Sequence, residues 1–372
     1  MKRKINRPNM KIKTLLLWSV TLAALAFASC SGDDTAGSDP TGPGTTGDQL
    51  QTVRLYLNVP STATARVGDP GYPTGEGEDW DQLTVMIESA NGNVITANNS
   101  RYFVRTLSKT NYETLPEQSG YRWLPIDLVE GSSVYIYGVT YSSTATNNPA
   151  QAIENVVRNS DSFANIKISN NYSANESGQI DAAKFLSVAT GYYEKDDSRV
   201  FTVQQPEGGL YDRTTMPTMT LTRLAAKIDI QWDAADAYPN YTDVKVTNFT
   251  FYNNKDAESQ VTHSNGYLFP DLPNVEGADG HTTFYNTSEI SQRNGRVYHY
   301  AFPNGSTPKV RFTITSESPG ASSSEHEYTF EFKNKLQKAT WYKLNVTIRG
   351  NSGNATISQE DESGILDVGG NG

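Results

Sequence analysis

Few residues in this chain have the type and spacing that chemistry needs. The four histidines, His263, His281, His299 and His326, are widely separated, with no H-E-x-x-H pair and no cysteine beside them. That is not the spacing of a zinc site. Ser322-Ser323-Ser324 stands close to His326. It lacks the G-x-S-x-G elbow that exposes a nucleophile, and it reads as a polar turn between strands. Asp69, Glu76, Glu78, Asp79 and Asp81 gather carboxylates that calcium would accept, but without the ligand order of an EF-hand loop. Among 41 acidic residues a glycosidase-like pair can always be picked, and nothing singles one out. Gly42-Pro43-Gly44-Thr45-Thr46-Gly47 spells G-x-G-x-x-G, yet no strand leads into it and no helix follows. Without a helix N-terminus the match loses its physical basis. The pattern predicts no catalytic residue, no metal and no cofactor. It reads as a protein that is not an enzyme.

Two residues near the N-terminus do carry a chemical expectation. Lys2, Arg3, Lys4, Arg7, Lys11 and Lys13 form a basic stretch, and Leu15 to Ala28 is an apolar run too short to span a bilayer. Leu25-Ala26-Phe27-Ala28-Ser29-Cys30 then sets small residues directly before the only cysteine. This looks like a lipobox, in which cleavage before Cys30 leaves a residue that carries acyl chains. An ordinary secretory signal with an incidental cysteine also fits the stretch; the small residues before Cys30 favour lipidation. A single cysteine can form no disulfide within the chain. The second residue is Arg66, the only basic residue in the Gly- and Pro-rich stretch from Thr62 to Asp81. Spacing alone leaves it an ordinary loop arginine.

Removing residues 1–29 lowers Lys+Arg from 31 to 25 and leaves Asp+Glu at 41, a net charge of −16. So acidic a chain repels phosphate backbones, which excludes nucleic acid as a partner. Residues 30–49 contain almost no large apolar side chain and read as a flexible tether. Asp33-Asp34 within it resembles an acidic surface-export signal, and fits a solvated linker equally well.

Beyond the tether, apolar residues alternate. Val53, Leu55, Leu57 and Val59 mark one face of a strand that stops at Pro60. Leu83, Val85 and Ile87 open a second strand, with a hairpin signal at Asn91-Gly92-Asn93 leading to Val94-Ile95. Val134 to Tyr141 is a third. Asn148 and Pro149 begin a helix with Ile153, Val156 and Val157 on one face. Ala226 to Trp232 alternates and closes a first domain, and the pattern lapses over Asp233 to Tyr241. Later strands follow at Val244/Val246, Phe249/Phe251, Val310/Phe312/Ile314, Tyr328/Phe330/Phe332 and Tyr342/Leu344/Val346/Ile348. The fold class expected is all-β, two tandem β-sandwich domains with a few short helices, at 50–234 and 235–350. Residues 351–372 form a polar tail, with Ala355-Thr356-Ile357 and Ile365-Leu366-Asp367-Val368 as its apolar patches.

Taken in order, these features resemble the fimbrillins, the fimbrial subunits of Bacteroidales. The resemblance runs through the lipobox at Cys30, the tether, the strand TVRLYLNV (52–59) and STATAR (61–66). It continues through Val67-Gly68-Asp69 and Leu83-Thr84-Val85-Met86-Ile87. Leu221 to Ile228 (LTRLAAKI) and Trp341 to Val346 (WYKLNV) extend it over nearly the whole chain. It implies transthyretin-like sandwiches and a lipid tether at Cys30 to the cell outer membrane. It also implies cleavage by a trypsin-like protease between Arg66 and Val67. The removable strand would then be the one bearing Val53, Leu55, Leu57 and Val59, replaced by a strand from another fimbrial subunit in an extracellular, adhesive fimbrium. The tail departs from the family's late pattern of alternating Val and Trp, so stalk, tip and anchor positions all stay open. The 21 tyrosines keep a second class in view, a surface glycan-binding lipoprotein.

Overall fold

Alternating apolar residues become paired strands along almost the whole described chain. The computed structural model describes residues 49–59, 80–145, 148–171, 188–233, 243–256, 263–272, 281–285, 294–317, 324–349, 352–361 and 365–368. The described residues are mostly β, with two short α-helices among them. In the first half the strands are β1 (Leu50–Asn58), β2 (Gln82–Ser89), β3 (Tyr102–Ser108), β4 (Glu117–Gln118) and β5 (Tyr121–Val129). They continue with β6 (Ser133–Tyr141), β7 (Lys167–Asn171), β8 (Ala189–Tyr192), β9 (Phe201–Thr202), β10 (Thr218–Thr220) and β11 (Thr222–Arg223). Then come β12 (Ala226–Asp233), β13 (Asp243–Tyr252), β14 (His263–Tyr267), β15 (His281–Tyr285) and β16 (Asn294–Ala301). The last are β17 (Lys309–Glu317), β18 (Ser324–Glu331), β19 (Thr340–Arg349), β20 (Ser352–Asp361) and β21 (Ile365–Val368). The helices are α1 (Lys109–Glu113) and α2 (Ala150–Asn159).

Two sheets close on one core in the first half. One runs β10-β1-β5-β4, the other β11-β8-β6-β2-β3 with β9 paired to β6. Val53, Leu55 and Leu57 of β1 and Leu124, Ile126 and Leu128 of β5 join Leu83, Val85 and Ile87 of β2 in a single buried cluster. A second pair, β16-β12-β19-β20-β21 and β15-β13-β17-β18, encloses another core. There Phe249 stacks on Phe312 at 5.3 Å between ring centres, and Phe312 on Phe330 at 5.4 Å.

The two sheet pairs are fastened to each other. Strand β7 pairs antiparallel with β14 across the halves. A third buried cluster joins Tyr137, Val139, Ile153 and Phe163 to Leu268, Phe269 and Phe302. All described residues fall in one compact unit, Asp48–Gly372.

Several strands differ from their sequence reading. Ala226 to Trp232 was expected to close the first domain, but as β12 it pairs with β16 and, in parallel, with β19. Alternation fixes which side chains face a core and is silent about which core. The hairpin partner of β2 is β3, not Val94-Ile95. Ile95 is fully buried without being in a strand, since an apolar side chain can fill a core from a loop. Helix α2 begins at Ala150, whose N–H donates to Asn148 Oδ1 at 3.2 Å. Ile153 and Val156 are buried, whereas Val157 stays exposed. The apolar patches of the tail lie in β20, antiparallel to β19, and β21, at the sheet edge.

Glu88 on β2 is a buried acid that sequence gave no reason to notice. Its carboxylate accepts from Ser162 Oγ at 2.7 Å, the Phe163 N–H at 2.9 Å and Tyr137 OH at 3.1 Å. It thereby fixes the connection between α2 and β7 to the sheet. Burial pushes its carboxyl above the usual glutamate range, against the opposing pull of these hydrogen bonds and of Arg101. A raised pKa means that the folded protein holds this proton more tightly than the unfolded chain does. The site therefore favours folding increasingly as the pH falls through that raised value. Comparing wild type with Glu88→Gln in urea, the difference should move in favour of wild type as the pH is lowered toward the ordinary glutamate value. Movement the other way would contradict this account of Glu88.

Candidate functional site

The first strand sits inside its sheet, where its removal would unpair two neighbours. β1 is interior to its sheet, antiparallel to β5 over eight residue pairs, from Leu50↔Val129 to Leu57↔Arg122. On its other side it runs parallel to β10, with Tyr56 opposite Thr218 and Asn58 opposite Thr220. The Tyr56 N–H donates to the Pro217 carbonyl at 2.9 Å, and the Leu221 N–H to the Asn58 carbonyl at 2.8 Å. Among the described residues β10 has no other neighbour in that sheet. Taking β1 away therefore opens a slot walled by β5 on one side and a stranded β10 on the other. On the facing sheet, Gly191 of β8 allows the close approach of β10, because a Cβ there would collide with the Thr220 carbonyl.

The inner face of β1 is apolar and dry. Val53, Leu55 and Leu57 are at most 1 % exposed. Val59, just past the strand, packs half-buried against the same cluster. Val53 lies opposite Ile126, and Leu55 opposite Leu124, so the pleat brings their side chains together on the core side. Each fully buried aliphatic contributes roughly 1.5–3 kcal/mol, and together the three contribute roughly 5–9 kcal/mol. Net stability of a domain is about 5–15 kcal/mol, so the slot cannot stand empty for long.

The outer face of β1 is also covered, which alternation alone did not reveal. The Arg54 guanidinium lies over two rings, 4.4 Å from the Trp123 centre and 4.6 Å from that of Tyr211. Tyr56 is fully buried and joins the same cluster, although alternation puts it on the strand face opposite Val53, Leu55 and Leu57. Gln51 Nε2 donates to the Tyr211 hydroxyl at 3.2 Å. At the solvent-exposed end of the strand Thr52 Oγ1 donates to Asp127 Oδ1 at 2.6 Å. The signal in the sequence was Arg54 and Tyr56 in the register opposite the aliphatics, with Gln51 as a polar residue in the aliphatic register itself. Its partners lie far along the chain, and nothing local identifies them.

The other residues singled out by sequence fall differently. Cys30, Arg66 and Val67 lie outside the described residues. So do Asp69, Glu76, Glu78 and Asp79. Asp81, the last of that acidic group, accepts from the Ser143 N–H at 2.8 Å and Ser143 Oγ at 2.6 Å, which is a structural use. Among the described residues no group of His, Cys, Asp or Glu is arranged to hold a metal ion. The segment 60–79, which carries Arg66, joins the end of β1 to the start of the remaining fold at Trp80. A cut within it is the one covalent step needed to separate β1 from everything that follows.

No protein-family model and no curated protein sequence matches the chain. Solved structures do. A fimbrial assembly protein from Parabacteroides distasonis is 14% identical, covering 86% of this chain and 99% of its own, with a TM-score of 0.41. The fimbrial anchor protein Mfa2 from Porphyromonas gingivalis is 10% identical, with coverages of 86% and 100% and a TM-score of 0.42. The tip fimbrial protein Mfa3 from the same organism, with a C-terminal truncation, is 10% identical over 83% and 99%, at 0.40. Over most of its length this chain is similar to fimbrial proteins of Bacteroidales.

Proposed function

We propose that this chain is a structural subunit of an adhesive surface fimbria, assembled by donor-strand exchange at the β1 slot. In this reading the two sheet pairs are tandem β-sandwich domains of transthyretin-like type. Acylated Cys30 holds the new subunit at the outer membrane. A trypsin-like protease cuts between Arg66 and Val67, and the freed β1 gives way to a strand from another subunit. Lipid tether and strand then leave together, and the subunit passes into the extracellular fimbrium.

The observation that carries this reading is the position of β1. It is an interior strand with a buried aliphatic face, yet it precedes the rest of the fold and is joined to it by one segment alone. An incoming strand with the same alternation would restore both ladders and refill the same pockets. The glycan-binding alternative loses support on the outer face of this sheet. There the rings that would stack on a sugar already carry guanidinium groups, Arg54 on Trp123 and Tyr211, and Arg213 on Tyr121 at 3.7 Å.

A synthetic peptide of residues 49–59 tests the slot. Added in excess to protein cut at Arg66, it should suppress multimer ladders, while a scrambled peptide should not. Undiminished ladders in the presence of bound peptide would place the joint between subunits elsewhere.

A further inference from the structure

We propose that the segment Pro206–Met216 is a strap that gates the departure of β1, with Tyr211 as its clasp; this rests on the strand-exchange reading above. The strap crosses the outer face of β1 and grips three of its residues. The Arg54 guanidinium lies over the Tyr211 ring and also over that of Trp123 on the neighbouring β5. The Tyr211 hydroxyl accepts from Gln51 Nε2. The Tyr56 hydroxyl lies 2.8 Å from the Tyr211 carbonyl and 2.7 Å from Gln118 Oε1, so its proton has an acceptor on either side. The outward side chains of β1 are thus all held, Thr52 by Asp127 of β5, Arg54 by the strap and Trp123 of β5, and Tyr56 by the strap and Gln118 of β4, while Gln51, in the inward register, reaches the strap at the strand's end.

The strap itself has a fixed end and a hinged end. Asp212 Oδ1 accepts from the Thr214 N–H at 2.8 Å, Thr214 Oγ1 at 2.6 Å and the Thr215 N–H at 3.3 Å, a compact turn. Lys195 Nζ donates to the Thr214 carbonyl at 3.0 Å, and Arg213 lies over the Tyr121 ring. These contacts anchor the C-terminal end, which runs through Pro217 into β10, the parallel partner of β1. At the other end Gly208 and Gly209 have φ of 65° and 73°, a left-handed pair that glycine adopts without strain. Leu210 between hinge and clasp is 61 % exposed. Rotation about the glycines, with release of the hydrogen bond that Thr215 Oγ1 donates to the Leu210 carbonyl, lifts Tyr211 off Arg54 and Tyr56 and leaves the aliphatic core intact. Core burial then holds the strand in place, and the strap sets how readily it starts to leave.

Hydrogen exchange on the uncut full chain reads this gate without depending on proteolysis. Tyr211→Ala should speed exchange of amides in residues 50–58 about tenfold, since the stacked guanidinium and its hydrogen bonds are lost. Amides in residues 82–89, on the facing sheet, should change less than about twofold. Arg54→Met, which keeps the stem and removes the cation, should reproduce the effect. The double variant should add little, because both changes open one clasp. Unchanged exchange in 50–58 for both variants, or equal acceleration in 82–89, overturns the strap. After cleavage at Arg66, the same variants should release the β1 fragment faster than wild type. If no cleavage occurs at Arg66, or the cut strand never exchanges, the assembly reading falls while the uncut measurement still decides the strap.

Discussion

Leu55→Ala is expected to destabilise the uncut chain by about 2–5 kcal/mol, the cost of emptying a fully packed site in a core that relaxes only partly. Leu55 is fully buried, sits in the middle of β1 and faces Leu124 across the ladder. The effect should be larger on function than on folding. Once the chain is cut, only noncovalent contacts retain β1, and each 1.4 kcal/mol is a tenfold change in its affinity for the slot. Retention of the cut strand should therefore fall roughly 30-fold to several-thousandfold. Thr52→Ala, at an exposed position of the same strand, should cost no more than about 1 kcal/mol, the worth of its hydrogen bond to Asp127. Urea unfolding of the uncut chain and the dissociation rate of the cut fragment measure the two consequences separately. A Leu55→Ala chain as stable as Thr52→Ala would mean that β1 is not held by its inner face.

The strand itself was legible in sequence because its period of two is a local property. Val53, Leu55 and Leu57 had to share a face once the segment was extended, and the core took that face. Tyr56 was not legible as a buried residue. It occupies the outward register, and the groups that cover it, Gln118 and the strap at Tyr211, come long after β1 in the chain. Strand β12 shows the same limit at the level of architecture. Its alternation was clear, but its partners β16 and β19 follow much later, and short-range pattern favoured the nearer core. Glu88 was hidden for a related reason. A carboxylate in a strand reads as a solvent-facing residue until the Ser162 and Phe163 donors are brought to it by the turn after α2.

Arg66→Ala is expected to abolish multimer formation under trypsin-like processing, leaving a monomer that keeps its N-terminal segment. Arg54 and Arg66 are the only basic residues between Cys30 and Asp81. A protease needs an extended, unpaired segment in its cleft. Arg54 is excluded by its place in the ladder, opposite Pro125 of β5, and by its guanidinium lying over the Trp123 and Tyr211 rings. Arg66 stands among Gly, Pro and small residues, a composition that suits an exposed loop. The variant thus removes the one basic residue of the segment 60–79 that joins β1 to the rest of the fold. Its loss should be all-or-none in the multimer ladder while the folded core is untouched.

The most direct measurement is low-dose trypsin on the wild-type chain, followed in parallel by intact mass and native electrophoresis. The account predicts one early cut, a product whose mass begins at Val67, initial retention of the β1 fragment, and then a slow ladder of multimers. A first cut that falls mainly elsewhere, or a chain cut at Arg66 that stays monomeric after its β1 fragment has left, would contradict it.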